Sequence, residues 1–185
     1  SAENLLLMVL KRAKSLSEKG TKLFAPPALS FFLENKICGP DFYSKSPFDI
    51  LDIFSQLDDS DIMSSAKVWR GHEDKILSTL CNFLVNRKLF KIELKNKAID
   101  TARIEKIKDF VAGLYKIDYD NAGYFVSEGS ISNYAYNSLD DNIKILLKNG
   151  DCLDIADASD MLNIAVLSKT VKKHFLCYPK GIEIP

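Results

Sequence analysis

The sequence predicts a mainly α-helical protein with an α+β C-terminal half. We expect a helical segment over residues 1–88 and an α+β segment over residues 89–185. Apolar residues recur at spacings of three and four through the first segment and alternate with polar residues after it. Asn149-Gly150, between two short apolar runs, is typical of a β-hairpin. A helical half followed by short antiparallel strands and a hairpin is therefore expected.

Three helices are predicted ahead of residue 57. The first covers residues 1–17, and its leucines occupy nearly the whole circumference, so we expect it to be buried or covered by a partner. A proline pair opens the second within residues 24–36, because proline suits the first helical turn. Ser46 starts the third as its N-cap, with Pro47 and Asp49 completing a start close to a capping box.

The stretch 57–94 is predicted to form two helices and a strand. Asp59 or Ser60 is expected to cap the first helix, because a short side-chain oxygen accepts from the free N–H groups of the first turn. Asp74 is expected to start the second helix. Two sets of residues then alternate along a strand, apolar Phe90, Ile92 and Leu94 and charged Lys91, Glu93 and Lys95.

Shorter elements follow a regular helix predicted over residues 100–115. Asn149-Gly150 is expected to form a type I′ turn, because both residues tolerate positive φ. The remaining predictions are strands over 124–126 and 133–136, a hairpin over 142–155, a helix near 157–162 and a strand over 171–178.

Composition limits the classes of function. Hydrophobic residues make up 46% of the 185, which is enough for a sizeable core, and 25 basic residues balance 25 acidic ones. We therefore expect no nucleic-acid partner and no attraction to an anionic membrane. The apolar run over residues 5–10 is too short to span a membrane. Four scattered cysteines suggest reduced thiols, which indicates a cytoplasmic protein.

No self-sufficient metal site is predicted in this chain. His72 and His174 are the only histidines, and no Cys pair or HExxH spacing accompanies them. Asp58, Asp59 and Asp61 could bind Mg²⁺ through their carboxylates. Helix capping explains the same three residues without a metal, and we favour that interpretation.

A cysteine nucleophile is the weakest catalytic hypothesis. His174 and Cys177 are close in sequence, but an odd offset within a strand puts them on opposite faces. A buried cysteine and a half-exposed histidine are favoured instead.

The cations after the second central helix form a candidate anion site. Arg87 ends that helix and Lys91 lies on the polar face of the following strand, with Lys88 between them. Such a bend can direct a forked guanidinium and an ammonium at one anion. A solvated charged face is the alternative.

The same stretch resembles a known family. The pattern LDDSDIMSSAKVW…DKILSTLCNFLVNRKLFKIEL, closing in NRKLFK at residues 86–91, looks like the C-terminal half of the HD-domain phosphohydrolases. These are bacterial enzymes related to the deoxynucleoside triphosphate triphosphohydrolases and to the sterile-alpha-motif and HD-domain protein of animals. The opening AENLLLMVLKRAKSL and the tail SDMLNIAVLSKTVKKHFLCYPKG are similar to the family as well.

The resemblance implies a catalytic core outside this chain. The family hydrolyses nucleotide phosphoesters with a divalent metal held by a His…His-Asp…Asp set, and no His-Asp dipeptide occurs here. We therefore expect the HD core and its metal upstream of Ser1, with no catalytic residue, metal ligand or cofactor in this chain. A start without Met that enters a helix at once also suggests a portion of a larger protein.

The resemblance also implies a regulatory role. In the dNTP-hydrolysing members this portion contributes oligomer contacts and an allosteric nucleotide site, which implies a homo-oligomer with a GTP or dNTP effector. Carried over by motif, the phosphate contacts are Arg87 and Lys91. Lys88 falls at a variable position and Lys180 matches too weakly, so neither is carried over. The alternative function is a stand-alone protein-interaction module that uses residues 124–136 and the hairpin.

Overall fold

Helices form most of the described N-terminal half, and one α-helix with short strands follows, which confirms the predicted fold class. The computed structural model describes residues 1–39, 47–132, 144–154 and 172–182. The helices are α1 (Ala2–Glu18), α2 (Pro27–Glu34), α3 (Pro47–Ser55), α4 (Asp59–Trp69), α5 (Lys75–Val85) and α6 (Thr101–Tyr115), with a 3₁₀ helix at Tyr119–Tyr124. The strands are β1 (Lys91–Lys95), β2 (Ser127–Ser132), β3 (Lys144–Leu146), β4 (Cys152–Asp154) and β5 (Lys172–Tyr178). The predicted Ser46 cap, the strand over 133–136 and the helix near 157–162 lie outside the described residues.

The chain groups into two compact units. The first contains residues 1–93, 100–127 and 176–185, and the second contains residues 94–99 and 128–175. This grouping follows contacts rather than sequence order, and the division between residues 88 and 89 stays a prediction. In the described residues no helix is both long and apolar enough to cross a membrane.

Helix α1 buries one face in the first unit. Leu5, Val9 and Ala13 are fully buried, and the helix packs against α2 and α5. Leu7, on the second apolar face, is 45% exposed. The buried face also carries Arg12, whose charge is compensated by an ion pair with α5.

Asp74 makes two sets of contacts at the start of α5. It is the N-cap, and its Oδ1 accepts from the Leu77 backbone N–H at 2.8 Å. It also receives both arms of the Arg12 guanidinium, at 3.1 Å from Nε and 2.6 Å from Nη2. Burial raises the pKa of Asp74, but the hydrogen bonds from Arg12 and Leu77 outweigh it, and the net pKa is lowered. The side chain of Asp74 is only 16% exposed, so this pair is partly removed from solvent screening.

The cap of α4 differs from the prediction by one residue. The N-cap is Asp58, not Asp59 or Ser60, and its Oδ1 accepts from the backbone N–H groups of Ser60 at 2.7 Å and Asp61 at 3.0 Å. Asp61 closes a capping box by accepting from the Asp58 N–H. A run of three acidic residues leaves the cap ambiguous in sequence, and only the backbone geometry decides it.

Three helices end in the same hydrogen-bonded turn. After α1, α5 and α6 the chain passes through one residue with positive φ, Gly20 at 88°, Arg87 at 55° and Lys116 at 52°. Each turn is a Schellman motif, in which two backbone N–H groups bond back to the last turn of the helix. Glycine normally occupies this position, because the left-handed conformation costs an L-residue about 1–2 kcal/mol. Arg87 and Lys116 adopt it despite their side chains.

Strand β1 does not bury its apolar side. Ile92 and Leu94 are 39% and 52% exposed. Glu93, on the charged side, has a side chain only 17% exposed, because three polar groups surround its carboxylate. Alternation of apolar and charged residues identified the strand. It cannot identify the buried side when a charged residue on that side is compensated by polar groups, as Glu93 is.

One further prediction was wrong in detail. Tyr124 ends the 3₁₀ helix rather than starting a strand, and the neighbouring strand β2 begins at Ser127. The apolar residues Ile104, Val111 and Leu114 recur along α6 at helical spacing, but Leu114 is 54% exposed whereas Ile104 and Val111 are buried.

The strands form two sheets. One has the order β1-β5-β2, and the other is the predicted hairpin of β3 and β4, antiparallel with Ile145 opposite Leu153. The hairpin turn is not type I′, because only Gly150 has a positive φ, at 91°. The Gly150 N–H donates to the Leu147 carbonyl, and the Leu147 N–H donates to the carbonyl of Asp151. This is the longer type of hairpin loop that ends in a left-handed glycine.

Candidate functional site

A cavity of about 280 Å³ lies in the first unit at the C-terminal end of α5. Among the described residues, its lining contains three cations and no carboxylate. The lining residues are Phe83, Arg87, Lys88, Leu89, Phe90, Tyr115, Pro179 and Lys180. Within the described residues none of the three cations has an ion pair, so the cavity carries uncompensated positive charge. A cavity of this kind is suited to an anion.

The Schellman turn positions two of these cations. Arg87 donates its N–H to the Leu84 carbonyl at 3.1 Å, and Lys88 donates to the Phe83 carbonyl at 2.9 Å. The turn reverses the chain directly after α5, so consecutive residues Arg87 and Lys88 both line the cavity. Cations at this end also complement the negative end of the helix dipole.

Aromatic rings form the apolar part of the lining. Phe83 lies edge-on to Phe90 and to Tyr115, with ring centroids 5.7 and 6.2 Å apart. Tyr115 in turn stacks on Phe125 at 4.7 Å. Burial raises the pKa of the Tyr115 hydroxyl, which keeps it neutral. The lining of the cavity therefore combines packed aromatic rings with three cationic side chains.

The third cation comes from the other end of the chain. Lys180 follows the buried residues Tyr178 and Pro179 at the end of β5, and its side chain is exposed. No motif spacing connects Lys180 with Arg87, because the two are 93 positions apart in sequence (180 − 87). The position of β5 brings it to the cavity, which sequence patterns alone do not reveal.

Lys91 is not among the residues that line this cavity. Its Nζ lies 3.3 Å from Glu93 Oε1 and 5.5 Å from the centroid of the Tyr178 ring. Its charge is therefore compensated locally, although 53% of its side chain is exposed. Of the two predicted phosphate contacts, Arg87 lines the cavity and Lys91 is paired with Glu93.

Glu93 is the centre of a polar network that the sequence did not indicate. Arg103 binds it with both terminal nitrogens, Nη1 to Oε2 at 2.9 Å and Nη2 to Oε1 at 3.1 Å. Tyr178 donates its hydroxyl to Oε1. This network joins β1, α6 and the end of β5 within the first unit, so it fixes the strand end that leads to Lys180.

The pKa values in this network follow from its hydrogen bonds. Tyr178 is the largest cause of the lowered pKa of Glu93, with Arg103 and Lys91 adding to it, and together they outweigh burial and bring the pKa to about 2. Burial and the hydrogen bond to Glu93 raise the pKa of Tyr178. The network is therefore a permanently charged carboxylate with a neutral phenol, which suits a structural role.

The other candidate residues lack the environment that catalysis requires. Cys177 is fully buried, and burial raises its pKa, which disfavours the nucleophilic thiolate. Asp58 and Asp61 use their carboxylates in the capping box. In the described part of the chain, no three His, Cys, Asp or Glu side chains cluster as metal ligands would.

Comparison with known proteins shows that the chain is similar to part of a phosphohydrolase. A crystal structure of a phosphohydrolase from Bacteroides thetaiotaomicron is 44% identical with a TM-score of 0.83, over 97% of this chain and 44% of that one. YwfO of Bacillus subtilis (strain 168), described as uncharacterized, is 27% identical over 98% of this chain and 40% of that protein. No family model matches the chain. The chain spans less than half the length of either protein, and it shares its fold with part of a phosphohydrolase.

Proposed function

We propose that this chain is the C-terminal, non-catalytic regulatory and oligomerisation part of a metal-dependent HD-domain phosphohydrolase of the dNTP triphosphohydrolase type. The observation that carries the proposal is the 44% identity to a phosphohydrolase of which the chain covers only 44%. The divalent metal and its ligands then belong to a segment that precedes Ser1. The resemblance of residues 57–94 to the part that follows the HD core supports the same assignment.

The regulatory part of the proposal concerns a nucleotide effector, GTP or a dNTP. Arg87, the motif arginine, lines a cavity together with Lys88, Lys180 and aromatic rings, and none of the three cations has an ion pair within the described residues. Guanidinium and ammonium groups bind phosphate through charge-assisted hydrogen bonds, and aromatic rings provide a surface for a base. For Lys91 to contribute to the phosphates it has to leave Glu93, and 53% of its side chain is exposed.

The same proposal includes a cytoplasmic homo-oligomer. In such an assembly, a second copy or the HD core covers the second apolar face of α1, where Leu7 is 45% exposed and Leu6 and Leu10 are half-buried. Size-exclusion chromatography with light scattering, with and without nucleotide, measures this directly. A monomer at all concentrations and in all ligands would contradict the assembly part.

The test of function uses the protein from the complete reading frame. With divalent metal it should hydrolyse a nucleoside triphosphate, whereas the 185-residue chain alone should not. Arg87→Ala and Lys91→Ala should raise the nucleotide concentration needed for half-maximal activation. Hydrolysis by the 185-residue chain itself would refute the non-catalytic assignment, and activation unchanged in both variants would refute the effector site.

A further inference from the structure

Two cations of the cavity are not accounted for by the motif. Lys88 and Lys180 line it together with Arg87, and neither has an ion pair within the described residues. Lys91, in contrast, is 3.3 Å from Glu93. At this cavity, the cations without an ion pair among the described residues are therefore Arg87, Lys88 and Lys180.

We infer that Lys88 and Lys180 hold the phosphates of a polyphosphate-bearing ligand together with Arg87. This inference rests on the proposed function for the identity of the ligand as a nucleotide. Three cations line this cavity and no carboxylate of the described residues does, so the cations repel one another when it is empty, and an anion reduces that repulsion. A polyphosphate chain offers several acceptor oxygens, enough to engage a forked guanidinium and two ammonium groups at once.

The cavity is large enough for a chain of phosphates, and the rest of a larger ligand would lie outside it. Its volume of about 280 Å³ is near the lower end of the range for small-molecule pockets. An apolar surface for a base or a sugar is provided by Phe83 and Tyr115, which line the same cavity as the three cations. A nucleoside triphosphate can contact both the cations and the aromatic rings, whereas an inorganic polyphosphate can contact only the cations.

The position of Lys180 makes the site dependent on β5. Strand β5 ends at Tyr178, whose hydroxyl is bound to Glu93, and Pro179 beside it is buried. These contacts hold the backbone at Lys180 while its side chain is exposed. A mobile side chain on a fixed backbone is suited to closing over a bound anion.

Binding of fluorescent GTP and dATP to this chain tests the inference, with inorganic tripolyphosphate as competitor. Lys88→Ala and Lys180→Ala should each weaken binding about tenfold or more, since a charged hydrogen bond contributes about 1.5–3 kcal/mol. Lys11→Ala, an exposed cation on α1, is the matched control and should bind as the unmodified chain does. Circular dichroism checks that each variant is folded.

The outcomes separate this inference from the proposed function. Loss of binding in Arg87→Ala and Lys91→Ala with none in Lys88→Ala and Lys180→Ala would overturn the inference and leave the proposed effector site standing. Tripolyphosphate binding that depends on Lys88 and Lys180, without nucleotide binding, would support the anion site and contradict the nucleotide. Absence of binding to all three ligands would overturn both.

Discussion

Arg87 occupies a backbone position at which glycine would be more stable. Its φ of 55° lies in the left-handed region, at the turn that ends α5. Lys116 has the same geometry after α6, with a φ of 52°, and it does not line the cavity. Arg87→Gly and Lys116→Gly are therefore a matched pair. Both remove the strain of a left-handed backbone, but only Arg87→Gly removes a side chain that lines the candidate site.

The expected gain in stability follows from two opposing terms. Glycine removes a left-handed strain of about 1–2 kcal/mol. It also adds conformational entropy to the unfolded chain, which costs about 0.4–1 kcal/mol. We expect each variant to be more stable by about 0.5–1 kcal/mol, which corresponds to an increase in Tm of about 1–4 °C for a protein of this size.

Two measurements on the same pair test the reasoning. Urea unfolding followed by circular dichroism should show a gain for both variants. Nucleotide binding should be lost in Arg87→Gly and retained in Lys116→Gly. A stability loss in both variants would refute the strain argument, and a gain in both with binding intact in Arg87→Gly would refute the role of Arg87 at the cavity.

Three further substitutions have expected outcomes. Asp74→Ala should cost about 3 kcal/mol in urea unfolding, about 1 from the lost cap and the rest from the lost ion pair with Arg12, which keeps only Asn121 and the Tyr124 ring as partners among the described residues. Asp74→Ser should recover about 1 kcal/mol, because serine can still cap the helix. Equal losses in the two variants would exclude the cap contribution. Because the pKa of Glu93 falls from 4.5 to about 2 on folding, its stabilisation is present above about pH 4.5 and is lost as the pH falls towards 2. Glu93→Gln should remove that part of the pH dependence of the unfolding free energy, whereas Glu105→Gln, on the exposed side of α6, should leave it in place. Ser65→Ala should raise stability by about 1 kcal/mol, because the Ser65 hydroxyl is fully buried and none of the described residues forms a hydrogen bond with it. An unchanged or lower Tm would contradict this.

The helices were predictable because their signals are local. Asp74 and Asp100 begin α5 and α6 as N-caps, and a cap acts on amides only two or three residues away. Where acidic residues are neighbours, as at Asp58 and Asp59, the local pattern narrows the N-cap to a few positions. The backbone geometry of the folded chain decides which of them is the N-cap. The hairpin of β3 and β4 was predictable for the same reason, although its turn type was not.

The candidate site was only partly predictable because its parts are distant in sequence. Arg87 could be identified from a motif next to a helix end. Lys180 and Tyr115 reach the same cavity through the fold, and no spacing in the sequence relates them. Alternation placed Glu93 on the charged side of a strand but did not indicate its partners, and Arg103 and Tyr178 reach it from distant parts of the sequence.

The double use of the Asp74 carboxylate has a consequence for local opening. One carboxylate holds the first turn of α5 and also the guanidinium of Arg12 on α1. If α1 separates from α5, the carboxylate is freed from its partner and the first turn of α5 loses its anchored cap. The amide of Leu77 and the buried amides of α1 should then exchange with solvent in one cooperative event rather than in two. A single aspartate thus makes two helices that are far apart in sequence behave as one folding unit.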